Sequence, residues 1–391
     1  MIRVVSLIPS LHFGGDEKRL MIFGAGADRS RFEHRVLVLR PTSAEMDAAR
    51  GSLREAYAER GITVEYFNST TPGSGRGMAS QLRLLGWLAR RLKQLRADIV
   101  DARMNYAIGM GGMAARLAGV PVTVGTAYHH HTLSDVVRYP LGQASILALD
   151  ALISDSQYVI DGYQKWLWRR LREAHVIFNG IPVPTSQKTR AAMRDHFAIP
   201  RDAQLIGQVS RLMPFKGQEI LMRAAAEQLR NRPDLYLLLC GYAADPAYRA
   251  HLSYVAGELG ITQKVRIEGY PGPIGDVWTA IDIHAHPSFL DSSPIAIHES
   301  MALGLPALVS DESGIPELVE NGVTGLVVPK KDVAACRAGL ERLLGDAALR
   351  AQLGANARTR YLERHTPEVM VQATEQLFER LVTAKARTTY Q

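Results

Sequence analysis

Two carboxylates, Asp291 and Glu299, stand eight positions apart in the run Asp-Ser-Ser-Pro-Ile-Ala-Ile-His-Glu. Ser293 followed by Pro294 reads as a helix start, with the serine accepting an N–H bond at the N-cap and the proline costing none at the first helical position. That would turn the N–H groups and positive dipole end beside Ser292, Ser293, Pro294 and Ile295 toward an anion such as a phosphate. Asp291 then lies just before the helix and Glu299 about two turns into it, so one acid can face a sugar and the other a group farther along. Upstream, Arg211 and Lys216 are five positions apart on a loop that leaves an apolar run. A planar fork and a point charge at that spacing can hold a diphosphate from two sides. Near the start of the chain, Gly14-Gly15 follows another apolar run, where the absence of Cβ lets backbone N–H groups approach a phosphate. A plain turn is the alternative there, because the full dinucleotide fingerprint is missing.

Three consecutive histidines, His129, His130 and His131, follow Tyr128. Neighbours on one loop seldom aim at one metal ion, and no Asp-x-Asp motif stands at a plausible donor loop, so no metal site is expected. His284 and His286 alternate along one apolar run and are read as core or cleft lining.

The elements that must position these residues alternate twice between strand-like and helical patterns. Apolar, β-branched runs at Val4–Ile8, Arg35–Leu39, Thr63–Phe67, Asp98–Asp101, Val122–Thr126, Ala151–Ser154 and Val176–Phe178 are separated by Ala-, Leu- and Arg-rich helical stretches. The scheme repeats at Leu205–Val209, Leu235–Cys240, Val265–Glu268, Ile281–Ala285, Ala307–Ser310 and Gly325–Val328. Such alternation predicts parallel sheets with crossover helices, whose ligands bind beyond the carboxyl ends of the strands. The expected fold is α/β, two Rossmann-like doubly wound domains facing across a cleft. The expected boundaries are 1–183 for the first domain, 184–202 for a Pro- and charge-rich linker, 203–365 for the second domain, and 366–391 for a helix crossing back to the first.

Composition narrows the class. The chain has 391 residues, 47% hydrophobic and 22% charged, as in ordinary globular proteins. No apolar run is long enough for a membrane helix, and no signal-peptide pattern opens the sequence. With two distant cysteines, Cys240 and Cys336, a reduced, cytoplasmic setting is expected. Residues 1–183 carry 23 basic and 16 acidic side chains, whereas 184–391 carry 23 of each, so the whole surplus of +7 lies in the first half. That surplus favours an anionic partner: an acidic acceptor, or the inner face of a membrane touched peripherally. Two basic, apolar stretches, Ala79–Arg96 and Tyr163–Arg172, have the composition of interfacial helices, although crossover helices on a sheet share it. No nucleic-acid-binding signature accompanies the charge.

As an ordered set, Asp291-x7-Glu299, Ser210-Arg211-x4-Lys216-Gly217, Gly14-Gly15-x-Glu17, Asn179-Gly180-Ile181, Pro287-Ser288, Ser313-Gly-Ile-Pro-Glu317 and Gly322-x-x-Gly325-Leu resemble the retaining glycosyltransferases of family 4. These have the GT-B fold and include enzymes of the glycogen synthase and phosphatidylinositol mannosyltransferase type. The likeness covers almost the whole chain. It departs where the family usually has Glu then Gly and this chain has Asp291 and Ser292. The resemblance implies an enzyme moving a hexose-type sugar, with retention, from a nucleotide diphosphate sugar to an acceptor hydroxyl. No cofactor and no metal would be needed. Arg211 and Lys216 would neutralise the leaving diphosphate with help from the helix near Pro294. Glu299 would hold ribose, Asp291 the transferred sugar, and Gly14 and Gly15 the phosphates from the opposite domain. The family often carries a His near the sugar after Val-x-Thr. His129 is chosen for that role, with His130 and His131 as alternatives and strict spacing from Thr126 selecting Tyr128. The contrasting expectation is a catalytically silent protein of the same fold that binds a nucleotide sugar or scaffolds glycan assembly.

Overall fold

The computed structural model describes residues 1–12, 14–40, 51–67, 78–129, 145–167, 170–243 and 245–389. The chain divides into two compact units, one of residues 1–180 with 367–391 and one of residues 181–366.

The first unit is built on seven parallel strands: β1 (Ile2–Ile8), β2 (Phe32–Val38), β3 (Thr63–Tyr66), β4 (Ile99–Arg103), β5 (Val122–Ala127), β6 (Ala151–Ser154) and β7 (Ala174–Val176). Their order is β3-β2-β1-β4-β5-β6-β7, so the winding reverses between β1 and β4. Helices cover both faces, which is why the strands read as nearly continuous apolar runs. Side chains alternate across the sheet: Val5 and Leu7 of β1 join one buried cluster with Leu88, Ala107 and Leu152, whereas Val4 joins another with Phe23, Val124 and Phe378. Phe378 belongs to the helix Pro367–Thr389, which packs edge-on against Phe23 with ring centroids 5.7 Å apart. Glu375 of that helix accepts the backbone N–H of Asp28 at 2.7 Å.

The second unit has six parallel strands: β8 (Gln204–Val209), β9 (Leu235–Cys240), β10 (Val265–Glu268), β11 (Ile283–His286), β12 (Ala307–Ser310) and β13 (Leu326–Val328). The order β10-β9-β8-β11-β12-β13 reverses between β8 and β11. Along β9, Leu235, Leu237 and Leu239 enter one cluster with Leu221, Leu308 and Leu340, while Leu238 and Cys240 enter the other with Phe197 and Trp278. Both sheets are thus doubly wound, with the strand order of Rossmann-like domains.

The stretch 184–202, expected as a linker, is folded into the second unit. It contains the helix Arg190–His196, whose Arg194 is completely buried. That guanidinium donates to the carbonyls of Pro200, Arg201, Ala203 and Ala280 and to the Asp282 carboxylate. A buried cation with five acceptors anchors the segment far more firmly than its Pro-rich composition suggests. Cys240 and Cys336 are both free and buried. Among the described residues, no helix is long and apolar enough to cross a membrane.

Candidate active site

In an open α/β sheet the crevice for a ligand lies at the carboxyl ends of the strands where the winding reverses. In the second unit that means the ends of β8 and β11. β8 runs into Ser210 and Arg211, and β11 runs into Pro287 and then Asp291. Gly217 brings the two loops together. Its φ is +76°, and a Cβ there would fall 2.1 Å from the Pro287 carbonyl oxygen, so only glycine allows this approach. The Phe215 carbonyl accepts the Phe289 N–H at 2.8 Å and the Ser288 hydroxyl at 3.0 Å. The short 3-10 turn Pro214–Lys216 is tied back as Gln208 donates to the Lys216 carbonyl at 2.6 Å.

This clamp delivers the Lys216 ammonium to the Asp291 carboxylate, with which it forms an ion pair. His286, the last residue of β11, reaches the same oxygen, Oδ2, from 3.2 Å. Burial by itself would push the Asp291 carboxyl up. The hydrogen bond from His286 and the charge of Lys216 outweigh burial and hold it down at about 2. Burial lowers His286, whose ring is 1% exposed, against the hydrogen bond and charge of Asp291, which raise it. His284, two residues earlier, is wholly buried, bonded to the Ser300 hydroxyl at 2.8 Å and packed edge-on to Trp278. The two alternating histidines therefore divide, one to the core and one to the site.

Arg211 is exposed at the end of β8 and forms no ion pair among the described residues. Its carbonyl is held by Gln218 at 2.9 Å. The helix after Asp291 runs from Ile295 to Ala302 with Pro294, not Ser293, at the N-cap. Ser293 instead exchanges a hydrogen bond with His298 Nε2 at 2.9 Å, and the helix start lies one residue along. Glu299 sits a little over one turn into the helix, about a quarter-turn nearer its start than expected, and it accepts Trp278 Nε1–H at 2.9 Å. Lys216, Asp291 and His286 are thus one contact group, with Arg211 and Glu299 on the flanking elements.

In the first unit the winding reverses between β1 and β4. Gly14 is the N-cap of the helix Gly15–Gly26 in an extended conformation. The Glu17 carboxylate folds back so closely that a Cβ on Gly14 would lie 2.1 Å from it. Opposite, Arg103 at the end of β4 pairs with Asp16 at 2.6 Å and Asp101 at 2.8 Å, and also donates to the Tyr128 hydroxyl. Asp101 further accepts Thr126 at 2.6 Å and Ser6 at 3.2 Å. Arg19 donates to Asn179 at 3.1 Å, and Asn179 in turn to Asp155 at 3.2 Å. Burial pushes Glu17 and Asp155 each up to about 7. The chain leaves β4 through Met104 at φ +66°, a left-handed setting uncommon for a non-glycine residue. Sequence reasoning does not single out Arg103, Asp101 or Arg19. Each lies at a strand end or in the helix after the glycine turn, and position at the reversal point is the available signal. His129 is exposed just beyond β5, Tyr128 is the residue drawn into the Arg103 network, and His130 and His131 lie outside the described residues. Among the described residues, no three His, Cys, Asp or Glu side chains converge as metal ligands would.

Comparison with known proteins bears on the family and the fold. Residues 13–206 match the model for Glycosyltransferase Family 4, and residues 189–360 that for Glycosyl transferases group 1. The chain is 32% identical to the D-inositol 3-phosphate glycosyltransferase of Corynebacterium diphtheriae over 44% of its own length, a match that spans only 42% of that relative. It is 26% identical to the alpha-D-kanosaminyltransferase of Streptomyces kanamyceticus over 83% of this chain and 89% of the relative. Anabaena HepE, solved in complex with UDP and glucose, superposes with a TM-score of 0.81 at 22% identity, covering 97% of this chain and all of that one. A glycosyltransferase from Rickettsia africae does so with a TM-score of 0.84 at 16% identity, covering 97% and 98%. With two doubly wound sheets, a cation–carboxylate group at the second reversal point and consecutive family models running from residue 13 to 360, the chain belongs to the family 4-like glycosyltransferases of GT-B fold.

Proposed function

We propose that the protein transfers a hexose-type sugar, with retention and without a metal ion, from a nucleotide diphosphate sugar to an acceptor hydroxyl. The observation that carries this reading is the Lys216–Asp291 pair at the β8/β11 reversal point, with the exposed Arg211 on the loop that leaves β8. There, two cations can meet a diphosphate while an ionised acid accepts from a sugar hydroxyl. The relatives named for transfer to inositol phosphate, and the fold neighbour solved with UDP and glucose, support the same substrate class.

In this reading the bond from the sugar's anomeric carbon to the diphosphate oxygen breaks as the acceptor oxygen bonds to the same face of that carbon. The acceptor's proton passes to the departing phosphate. Lys216 and Arg211 take up the charge that grows on the diphosphate, and such charge stabilisation usually contributes most to lowering the barrier. Asp291 orients the sugar and Glu299 the ribose. An acidic acceptor or an anionic membrane suits the first unit, whose helix Met78–Gln94 buries Leu84, Leu88 and Leu92 and exposes Leu82, Arg83, Arg90 and Lys93. Arg91, by contrast, is spent on Glu65, which it grips with two bonds of 2.6 and 2.7 Å.

The test is a panel of nucleotide diphosphate sugars scored for binding by thermal shift, then for product anomer with and without EDTA. A ligand at 100 times its Kd should stabilise by about 2.7 kcal/mol. Transfer with inversion, or activity abolished by EDTA and restored by Mn²⁺, would refute the stated mechanism. Binding without any transfer would instead favour a silent nucleotide-sugar-binding protein. Co-sedimentation with anionic vesicles, absent for neutral ones, would be expected of the exposed basic face, and no sedimentation with either would remove the membrane from the proposal.

A further inference from the structure

The hydrogen bonding of Asp291 is lopsided. Lys216 Nζ and His286 Nε2 both meet Oδ2, and Oδ1 has no hydrogen bond among the described residues. The His286 ring is buried at the end of β11, and its Nδ1 is enclosed without a partner. Its single polar link is therefore the one to Asp291. A carboxylate can only accept, so Nε2 carries the proton in that link. Two further titratable groups face this imidazole, Lys216 and His284, the latter with its ring centroid 5.6 Å away. Asp291 is one methylene shorter than the glutamate usual in the family, and a short acid has less reach with which to find its own orientation.

Resting on the proposed function, we propose that His286 is a positioning residue for Asp291, pinning Oδ2 through Nε2–H so that Oδ1 is presented to a hydroxyl of the transferred sugar. The pin matters most when a donor diphosphate arrives. Lys216 must then share its three N–H donors between the phosphate and Asp291, and a buried carboxylate losing one donor needs the other. The histidine keeps the acid in register through that exchange and touches neither the sugar nor the phosphate.

His286→Phe keeps the ring and removes the donor, whereas His286→Gln returns an N–H near the same place. With the nucleotide sugar that the wild type uses, His286→Phe should lower kcat by about tenfold to a hundredfold, the range for a lost hydrogen bond to a charged group. The Kd for the free nucleoside diphosphate, which lacks the sugar, should stay within about twofold, and His286→Gln should recover most of the turnover. An undiminished kcat in His286→Phe overturns the proposal. So does a fall in nucleotide affinity as large as the fall in turnover, or a failure of glutamine to rescue. A measurement on the ligand-free protein guards against misfolded variants and missing activity: ¹³C NMR titration of the Asp291 carboxyl. It should titrate higher in His286→Phe than in wild type, and an unmoved titration rejects the pin. A wild type that neither binds nor transfers from any nucleotide sugar sinks the proposed function, while the titration still decides whether His286 holds Asp291.

Discussion

The two units of this chain each shield carboxylates near their strand ends, Asp291 half-buried and Glu17 and Asp155 buried, and leave them in opposite states. At β8/β11, Asp291 is held at about 2 because a lysine and a histidine converge on it. In the first unit, Glu17 beside the β1/β4 reversal and Asp155 just after β6 are pushed to about 7 because burial acts on them without an equivalent cation. Cations are present there, but Arg103 is committed to Asp16 and Asp101 and Arg19 to Asn179. Burial sets only the cost of a charge, and the donors within reach decide whether the group keeps it. The first unit's polar lattice commits its arginines, although Asp16 Oδ2 and Asp155 Oδ1 are buried without a partner among the described residues. The second differs in its cation: Arg211 is exposed and forms no ion pair among the described residues.

The largest effect that would break this contrast is Arg103→Met. It strands Asp16 and Asp101 as buried acids, and unfolding by denaturant should show a loss of about 3–5 kcal/mol, the usual cost of removing one partner from a buried pair. A variant as stable as wild type would mean that the lattice is not what orders the first unit. Glu299→Ala addresses the second unit. Calorimetry with the nucleoside diphosphate of the preferred donor should show binding weaker by about 1.5–3 kcal/mol, beside a stability loss of about 1–3 kcal/mol from the buried Trp278 Nε1–H left without its acceptor. Unaltered affinity would take Glu299 out of the site and leave it a structural partner of Trp278.

A further test concerns pH. Glu17 is raised from 4.5 to about 7 in the folded chain, so between those values the native state holds a proton that the unfolded state has released. Its contribution to stability is fully present below pH 4.5 and is lost as pH rises through about 7. Asp291 has the opposite sign. Its contribution is present above 3.8 and is lost as pH falls through about 2. Denaturation curves of wild type and Glu17→Gln, subtracted across pH 4.5 to 7, should show this falling contribution, and a difference that stays flat would mean that Glu17 is not raised.

Much of this is legible in the sequence. The double alternation of strand and helix follows from local pattern, and so does the position of Arg211, Lys216 and Asp291 in loops after strands. What escapes are partnerships across long separations. Lys216 meets Asp291 over 75 residues and Arg103 meets Asp16 over 87, distances at which no periodicity carries information. The segment 184–202 departs from its linker-like composition for a related reason: its prolines describe its backbone, but Arg194 reaching Asp282 decides its place. Ser293 has the composition of an N-cap, yet a histidine one turn on competes for its hydroxyl, and that competition is invisible in propensity alone.

The helix Pro367–Thr389 has a consequence for how the chain is made. It completes the first unit by covering Phe23 and Val4, yet residues 181–366 separate it from the rest of that unit. At about 5–20 residues per second, roughly 10–40 s of synthesis pass before the ribosome supplies it. During that interval the first sheet waits with an apolar flank uncovered, while the second unit emerges whole and can fold. The later-translated unit is thus free to finish first, and the earlier one completes its core only when Phe378 arrives.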